Sequence, residues 1–274
     1  MGKINGWRDI IDYPIINKWP LEGLEKVLFG ASLDCAWECC NYNQFNNGRL
    51  CLTLSGGLDS SLSLGMIKRA MDHGALPIQN PFDIYTFTIG QTENHPDIQH
   101  AKMVTKSFSV NHFILIPDKH RTERAKERLK NELSSLGEDI GTLGVFMLYE
   151  FLKEYNVKMV IAHDGIDELM GGYWIHRQDA PNEEKMEAAF RNLWGQLKEK
   201  HLIPLETIAQ YFGIRVIFPY LQKDVVECIS RIPVLERTGH EVSKIPLRRL
   251  AEKYLPREII ERPKIGFCDA LKKF

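Results

Sequence analysis

No stretch of this chain supplies the ~18 uninterrupted apolar residues that a membrane helix needs. The best run, residues 141–151, is short and already contains Glu150. The first six residues hold no apolar signal core, and Gly6 stands where a myristoylation signal carries Ser or Thr, so a cytoplasmic location is the expectation. Charge excess is missing as well. Thirty-five Lys plus Arg face 36 Asp plus Glu, leaving −1 at pH 7, which argues against a protein built to hold nucleic-acid backbones. Six cysteines in 274 residues are too few for a disulfide frame. Cys35, Cys39 and Cys40 cluster at helical spacing, but Cys-x-x-Cys is absent; buried thiols on an apolar helix are favoured over a metal or iron–sulfur site. What the chain does have is 44% hydrophobic and 26% charged residues, enough for a sizeable core in one large domain.

Leu24, Val27, Leu28, Ala31, Leu33 and Ala36 predict an amphipathic helix over 21–40. The apolar run 50–54 reads as a buried strand, and the segment from Asp59 to about Gly74 as a helix. The same alternation follows in kind: strands at 83–89, 112–116 and 157–162, helices at 96–107, 119–133 and 143–154. Such alternation implies βαβ units, hence an α/β fold with an open, mostly parallel sheet and helices on both faces. After Gly172 the strand signal fades, and 183–200, 204–211, 223–231 and 243–254 look helical. The expected organisation is a single domain over 1–274. It comprises an N-terminal helical segment (1–45), an α/β core (46–180) and a C-terminal helical lobe (181–274), with Pro181-Asn182 at the boundary. There is no internal repeat or low-complexity segment.

The most informative stretch is Leu54-Ser55-Gly56-Gly57-Leu58-Asp59-Ser60-Ser61, between a strand and a helix. Two glycines let the backbone curl so that several N–H groups converge on one anion. The following helix adds the positive end of its dipole. Ser55, Ser60 and Ser61 add hydroxyls, and Asp59 suits a Mg²⁺ held against phosphate oxygens. The turn lacks the Gly-Lys-Ser/Thr of a Walker loop and the Gly-x-Gly-x-x-Gly of a dinucleotide fingerprint.

Ser55 to Ser61 resembles the pyrophosphate loop of the N-type ATP pyrophosphatase (PP-loop) superfamily, whose fold is adenine nucleotide alpha hydrolase-like. Three further stretches are similar to the synthetase domain of asparagine synthetase. Tyr85 to Gly90 with Pro96-Asp97 resembles its second, adenine-side strand and the helix that follows. Met159 to Tyr173 resembles its Ser-Gly-Glu-Gly-x-Asp-Glu-x-Phe-Gly-Gly-Tyr signature. Phe218-Pro219-Tyr220-Leu221, Lys244, Leu247-Arg248 and Arg262-Pro263-Lys264-Ile265-Gly266-Phe267 are similar to its C-terminal part. Together these span residues 50–267 in the family's order.

The resemblance implies an ATP- and Mg²⁺-dependent ligase that adenylates a carboxylate, aspartate among the candidates, releases pyrophosphate, and lets ammonia or an amine displace AMP. It implies ATP or pyrophosphate binding by Leu54, Ser55, Gly56, Gly57, Asp59, Ser60, Ser61, Ile89 and Lys264, with Asp59 on the metal. Lys244 and Glu132 are its candidate catalytic residues: Lys244 at the adenylation step, Glu132 as the base that takes a proton from nitrogen. Asp164, Gly165, Asp167 and Glu168 are its candidate substrate-binding residues, their carboxylates suited to a substrate amine or to Mg²⁺. Ser135 stands where a second metal-binding aspartate is expected, with Glu138 or Asp139 as substitutes. His163 reads as a strand-end histidine bonded to backbone, or as a phosphate contact or proton-transfer group.

Several positions depart from the pattern. Gly2 replaces the glutaminase cysteine, so nitrogen is expected as free ammonia, as a substrate amine, or from a separate glutaminase subunit. Ala162-His163-Asp164 replaces Ser-Gly-Glu, Met170 replaces Phe, and Ile217 and Gln222 stand where an arginine and an aspartate are expected. Two other readings remain open: a PP-loop enzyme that modifies an RNA base, and a non-catalytic ATP-binding subunit. The oligomeric state is open too, a homo-oligomer included.

Overall fold

The computed structural model describes residues 23–43, 48–137 and 139–262. Helix α1 (Leu24–Tyr42) leads into β1 (Leu50–Thr53), α2 (Leu58–Asp72), β2 (Ile84–Ile89), α3 (Pro96–Phe108) and β3 (Asn111–Leu115). Two helices, α4 (Lys119–Glu132) and α5 (Ile140–Glu154), precede β4 (Met159–Ile161) and the short α6 (Ile166–Met170). Then come α7 (Glu183–Leu197), α8 (Ile203–Tyr211), β5 (Arg215–Ile217) and α9 (Lys223–Ser230). The last described helices are α10 (Val234–Arg237), α11 (Ile245–Ala251) and α12 (Arg257–Ile260).

The five strands form one parallel sheet in the order β3-β2-β1-β4-β5. Strand order reverses between β1 and β4, and ligands of open α/β sheets bind in the crevice at the carboxyl ends of the strands flanking such a reversal. The loops that leave β1 and β4 are the two that carry the singled-out motifs.

Alternation along β2 divides the core. Phe87 points to one face, where it meets Phe151 and Tyr155 of the α5 segment, and Phe113 of β3 joins them. Thr88 points to the other face, toward α3, with its hydroxyl 2.8 Å from His112 Nε2. Apolar α5 is buried along most of its length, whereas highly charged α4 buries only Thr122, Ala125 and Leu129, the narrow stripe of an outer-layer helix. Glu150 of α5 fastens α4 through Arg121, Arg124 and Arg128.

One expectation is corrected here. The region after Gly172 is not purely helical: Arg215–Ile217 is a strand, paired with β4 in register Met159 to Arg215. Three residues at a sheet edge, of which only Ile217 is buried, leave no period-2 pattern to read. Helices α7 and α8, expected as separate, run together through a π-helical turn at Lys198–Leu202.

Candidate active site

Strand β1 delivers the chain to Leu54, whose N–H donates to the Phe87 carbonyl at 2.8 Å and whose carbonyl accepts the Thr88 hydroxyl at 2.5 Å. The backbone then turns left-handed at Gly56, with φ +67°. A Cβ there would lie 2.3 Å from the Ala101 nitrogen and 2.7 Å from the His100 carbonyl carbon, so the loop lies flat on α3 and only glycine fits. Ser55 and Ser60 brace it from inside. The Ser55 hydroxyl accepts the Gly57 N–H at 3.3 Å and touches Ser60 Oγ at 3.2 Å, and the Ser55 N–H donates to Ser60 Oγ at 3.3 Å. Ser61 is fully buried behind them.

Gly57 begins α2 with no side-chain cap. The positive end of a 15-residue helix therefore faces the loop with its first-turn N–H groups uncapped by side chains, a natural anion seat. Arg262 fixes the seat from the far end of the sequence. Its guanidinium donates to the Ser55 carbonyl at 3.1 Å and pairs with Asp97 in the first turn of α3, both side chains being buried. Tyr220, in the turn after β5, donates its hydroxyl to the Asp59 carbonyl at 2.7 Å.

Across the crevice, Lys244 brings the two motif loops together. Its Nζ lies 2.5 Å from Asp59 Oδ2 and 2.7 Å from Asp167 Oδ1, and the residue is 4% exposed. Burial lowers the pKa of this ammonium, but Asp167 and Asp59 more than offset that, and it stays charged. Lys244 itself adopts a left-handed conformation, φ +53°, just before α11. Gly172 makes the triad fit. A Cβ at that position would meet Asp167 Oδ1 at 1.6 Å and Lys244 Cε at 2.6 Å.

Behind the triad, Glu168 is 3% exposed and accepts the Tyr173 hydroxyl at 3.0 Å. Burial first, and the charge of Asp167 next, push its carboxyl up to about 7. Asp164 adds a smaller push in the same direction. Gly165 turns at φ +93° against Leu221, and Gly171 at φ +73° against Thr238 and Phe190. Arg237, fully buried, donates to the carbonyls of Ile232, Leu169 and Ser230 and so anchors the end of α6. His163, at the foot of the same loop, is held neutral: burial drives its pKa down to about 3, against a backbone contact at Thr53.

The structure thus brings together Leu54, Ser55, Gly56, Gly57, Asp59, Ser60 and Ser61 from one loop with Lys244, Asp167 and Glu168. Ile89 ends the neighbouring strand, buried. It does not bring Glu132 to this cluster. That carboxylate is exposed at the end of α4, bound by Arg128 and the Tyr211 hydroxyl. Tyr211 ends α8 just ahead of β5, at the edge where the strands enter. Asp139 is occupied in capping α5, through Gly141 and Thr142, and Ser135 lies exposed in a 3-10 turn. The carboxylate that meets Asp59 is Asp167. Lys264 and Glu138 fall outside the described residues. Roles for Arg262, Tyr220 and Arg237 escaped the sequence reading, because nothing local marks a long-range bond to a carbonyl.

Two carboxylates converging on one point suit a hard cation. Magnesium is commonly held by one or two carboxylates together with substrate phosphates and water. Among the described residues no group of three or more His, Cys, Asp or Glu is arranged for a metal; Asp59 and Asp167 are the pair that would hold a Mg²⁺ together with phosphate oxygens.

Comparison with known proteins agrees with this arrangement. The family model described as Asparagine synthase matches residues 44–210 and 182–273. Asparagine synthetase [glutamine-hydrolyzing] of Rattus norvegicus is 28% identical over 232 residues, covering 81% of this chain and 40% of the rat protein. The Gallus gallus protein of that name is 28% identical over 231 residues, with the same coverages. Asparagine synthetase [glutamine-hydrolyzing] 2 of Oryza sativa subsp. japonica is 26% identical over 233 residues, covering 80% of this chain and 38% of the rice protein. The chain therefore spans about two fifths of the length of these curated relatives. Among solved structures, an NH3-dependent NAD synthetase from Campylobacter jejuni matches at 17% identity and a TM-score of 0.35, over 66% of this chain and 76% of that one. With the family's pattern running through both site loops and over most of its length, this chain belongs to the asparagine synthase family.

Proposed function

We propose that the chain is an ATP-dependent carbon–nitrogen ligase that adenylates a carboxylic acid, with aspartate the leading candidate, releases pyrophosphate, and transfers the acyl group to ammonia with release of AMP. The observation that carries this reading is the meeting, at the sheet's reversal point, of the uncapped start of α2 with the Asp59–Lys244–Asp167 triad.

Adenylation concentrates negative charge as the substrate carboxylate attacks the α-phosphate. The Gly56-Gly57 turn and the first N–H groups of α2 receive the departing pyrophosphate, already oriented and needing no rearrangement. Lys244 places a positive charge beside the phosphates, where it stabilises the transition state more than the ground state. Mg²⁺ on Asp59 and Asp167 would neutralise phosphate charge. In the second half-reaction the attacking nitrogen must lose a proton. Glu168, whose carboxyl titrates near neutrality, has the affinity that a general base working near pH 7 requires. Asp164, on the same loop, would receive the substrate's ammonium group. Nitrogen enters as ammonia, free or handed over by a glutaminase subunit.

The test is acid-dependent exchange of labelled pyrophosphate into ATP, with AMP and product followed by mass spectrometry. Aspartate plus ammonia should yield asparagine, AMP and pyrophosphate in equal amounts. Exchange with another acid but not aspartate would change the substrate alone. If no carboxylic acid elicits exchange, the ligase reading is lost.

A further inference from the structure

Lys244 occupies the point on which Asp59 and Asp167 converge, and this has a consequence for how a metal ion enters. Its ammonium touches one oxygen of each carboxylate at 2.5 and 2.7 Å, whereas Mg²⁺ binds carboxylate oxygens at about 2.0–2.1 Å. A divalent ion bonded to that same pair of oxygens would overlap the nitrogen, so the two cations exclude one another. Nor can Lys244 slide back to make room. Gly172 leaves no gap for even a methyl group beside its Cε, and the side chain is almost fully buried.

We propose that Lys244 is a resident counter-ion of the Asp59–Asp167 pair, and that nucleotide phosphate draws it off so that a divalent metal enters only together with the nucleotide. This deepens the proposed function and rests on its placing phosphate and Mg²⁺ at this site. Two partly buried carboxylates, each side chain 20% exposed, would repel one another in this crevice without a cation, and Lys244 relieves that repulsion. A triphosphate seated on the Gly56-Gly57 turn offers the ammonium a new anionic partner. Once Lys244 turns to it, the carboxylates regain their demand for positive charge, which the metal meets. Metal and nucleotide would therefore bind with positive coupling, and by linkage each would raise the other's affinity by the same factor. The left-handed backbone of Lys244, φ +53°, places a strained residue at the pivot of this movement.

The experiment is a Mn²⁺ titration of the full chain, followed by electron paramagnetic resonance, with no acid or nitrogen donor present. Protein-bound Mn²⁺ in the wild type should be at least tenfold weaker without ATP than with it. In Lys244→Met without ATP, Mn²⁺ should bind at least tenfold tighter than to the wild type, and adding Asp167→Asn should remove the gain. Lys244→Arg, which keeps a cation between the carboxylates, should stay as weak as the wild type. Equal Mn²⁺ affinity in wild type and Lys244→Met without nucleotide would overturn the proposal, as would a gain that survives Asp167→Asn. If Lys244→Met does not fold, the wild-type comparison decides: equal Mn²⁺ affinity with and without ATP overturns the exchange. A wild type that binds no ATP by calorimetry would defeat the ligase reading, while the nucleotide-free Lys244→Met comparison would still decide whether the lysine excludes the metal.

Discussion

Glu168 holds its proton more tightly in the folded chain than out of it, and the consequence for stability has a definite sign. Below its ordinary value of 4.5 the carboxyl is protonated in both states and contributes no pH dependence. Between 4.5 and about 7 the unfolded chain releases the proton while the folded one keeps it, so stability falls as pH rises across this window and stays lowered above it. Replacing Glu168 with Gln removes that loss and keeps an oxygen to accept the Tyr173 hydroxyl. Urea unfolding should find Glu168→Gln level with the wild type at pH 4 and more stable by on the order of 2–3 kcal/mol at pH 8, with ligase turnover reduced. A constant difference across pH would mean that the carboxyl is not perturbed. Gly56 admits a second single-residue prediction. Gly56→Ala combines a positive φ with a Cβ driven into backbone atoms of α3, and should destabilise by more than ~1 kcal/mol. The Michaelis constant for ATP should rise more than that for the acid; a variant unchanged in both would show that the loop does not lie on α3.

At the scale of elements, the Ser55–Ser61 loop is held by pieces that the sequence keeps far apart. Arg262 joins the Ser55 carbonyl to Asp97, so Arg262→Ala should leave a buried carboxylate without its cation, a loss of about 3–5 kcal/mol in chemical denaturation. Arg262→Lys should recover part of the stability without restoring the ATP Michaelis constant, because one ammonium replaces a fork that reaches two acceptors. Recovery of both by Lys would reduce Arg262 to a plain charge. This contact also shows where sequence reading stops. The passage from β1 through the loop into α2 was legible because its signals are local: an apolar run, two glycines, a helix start. So were the strands β1 to β4 and most helices. The resemblance points Lys244 to the phosphates, yet nothing in the spacing announces its meeting with Asp167, a carboxylate expected at a substrate amine or at Mg²⁺. The resemblance points to Glu132 as well, but the fold carries the end of α4 to Tyr211, away from this cluster. Strand β5 escapes notice because three residues with a single buried side chain are too short to show a period-2 pattern, even though Val216 and Ile217 favour a strand.

For the whole molecule the open quantity is the source of nitrogen. Hydrolysis of glutamine by a cysteine needs a reactive, accessible thiolate. Cys35, Cys39, Cys40 and Cys51 are buried in the core and Cys228 is partly so, and burial pushes every one of these thiols up, Cys40 and Cys51 to about 12. None of the described cysteines can serve. On the proposed reading, by contrast, the crevice between β1 and β4 would supply the groups for adenylation and amide formation from this one chain. The purified chain is therefore expected to make amide from ammonium salts at a rate that rises with pH as free ammonia accumulates. Glutamine at the same concentration should give no product and release no glutamate. Blocking thiols with a glutamine-directed affinity reagent should leave the ammonia-dependent rate unchanged, since none of the described thiols lies at the proposed site. Glutamine-dependent synthesis by the chain alone, abolished by that reagent, would show a glutaminase centre outside the described residues and would overturn the expectation that this chain depends on ammonia supplied from outside. If instead a second protein confers glutamine use without altering the ammonia rate, the synthetase centre is complete as described and only the delivery of nitrogen is shared.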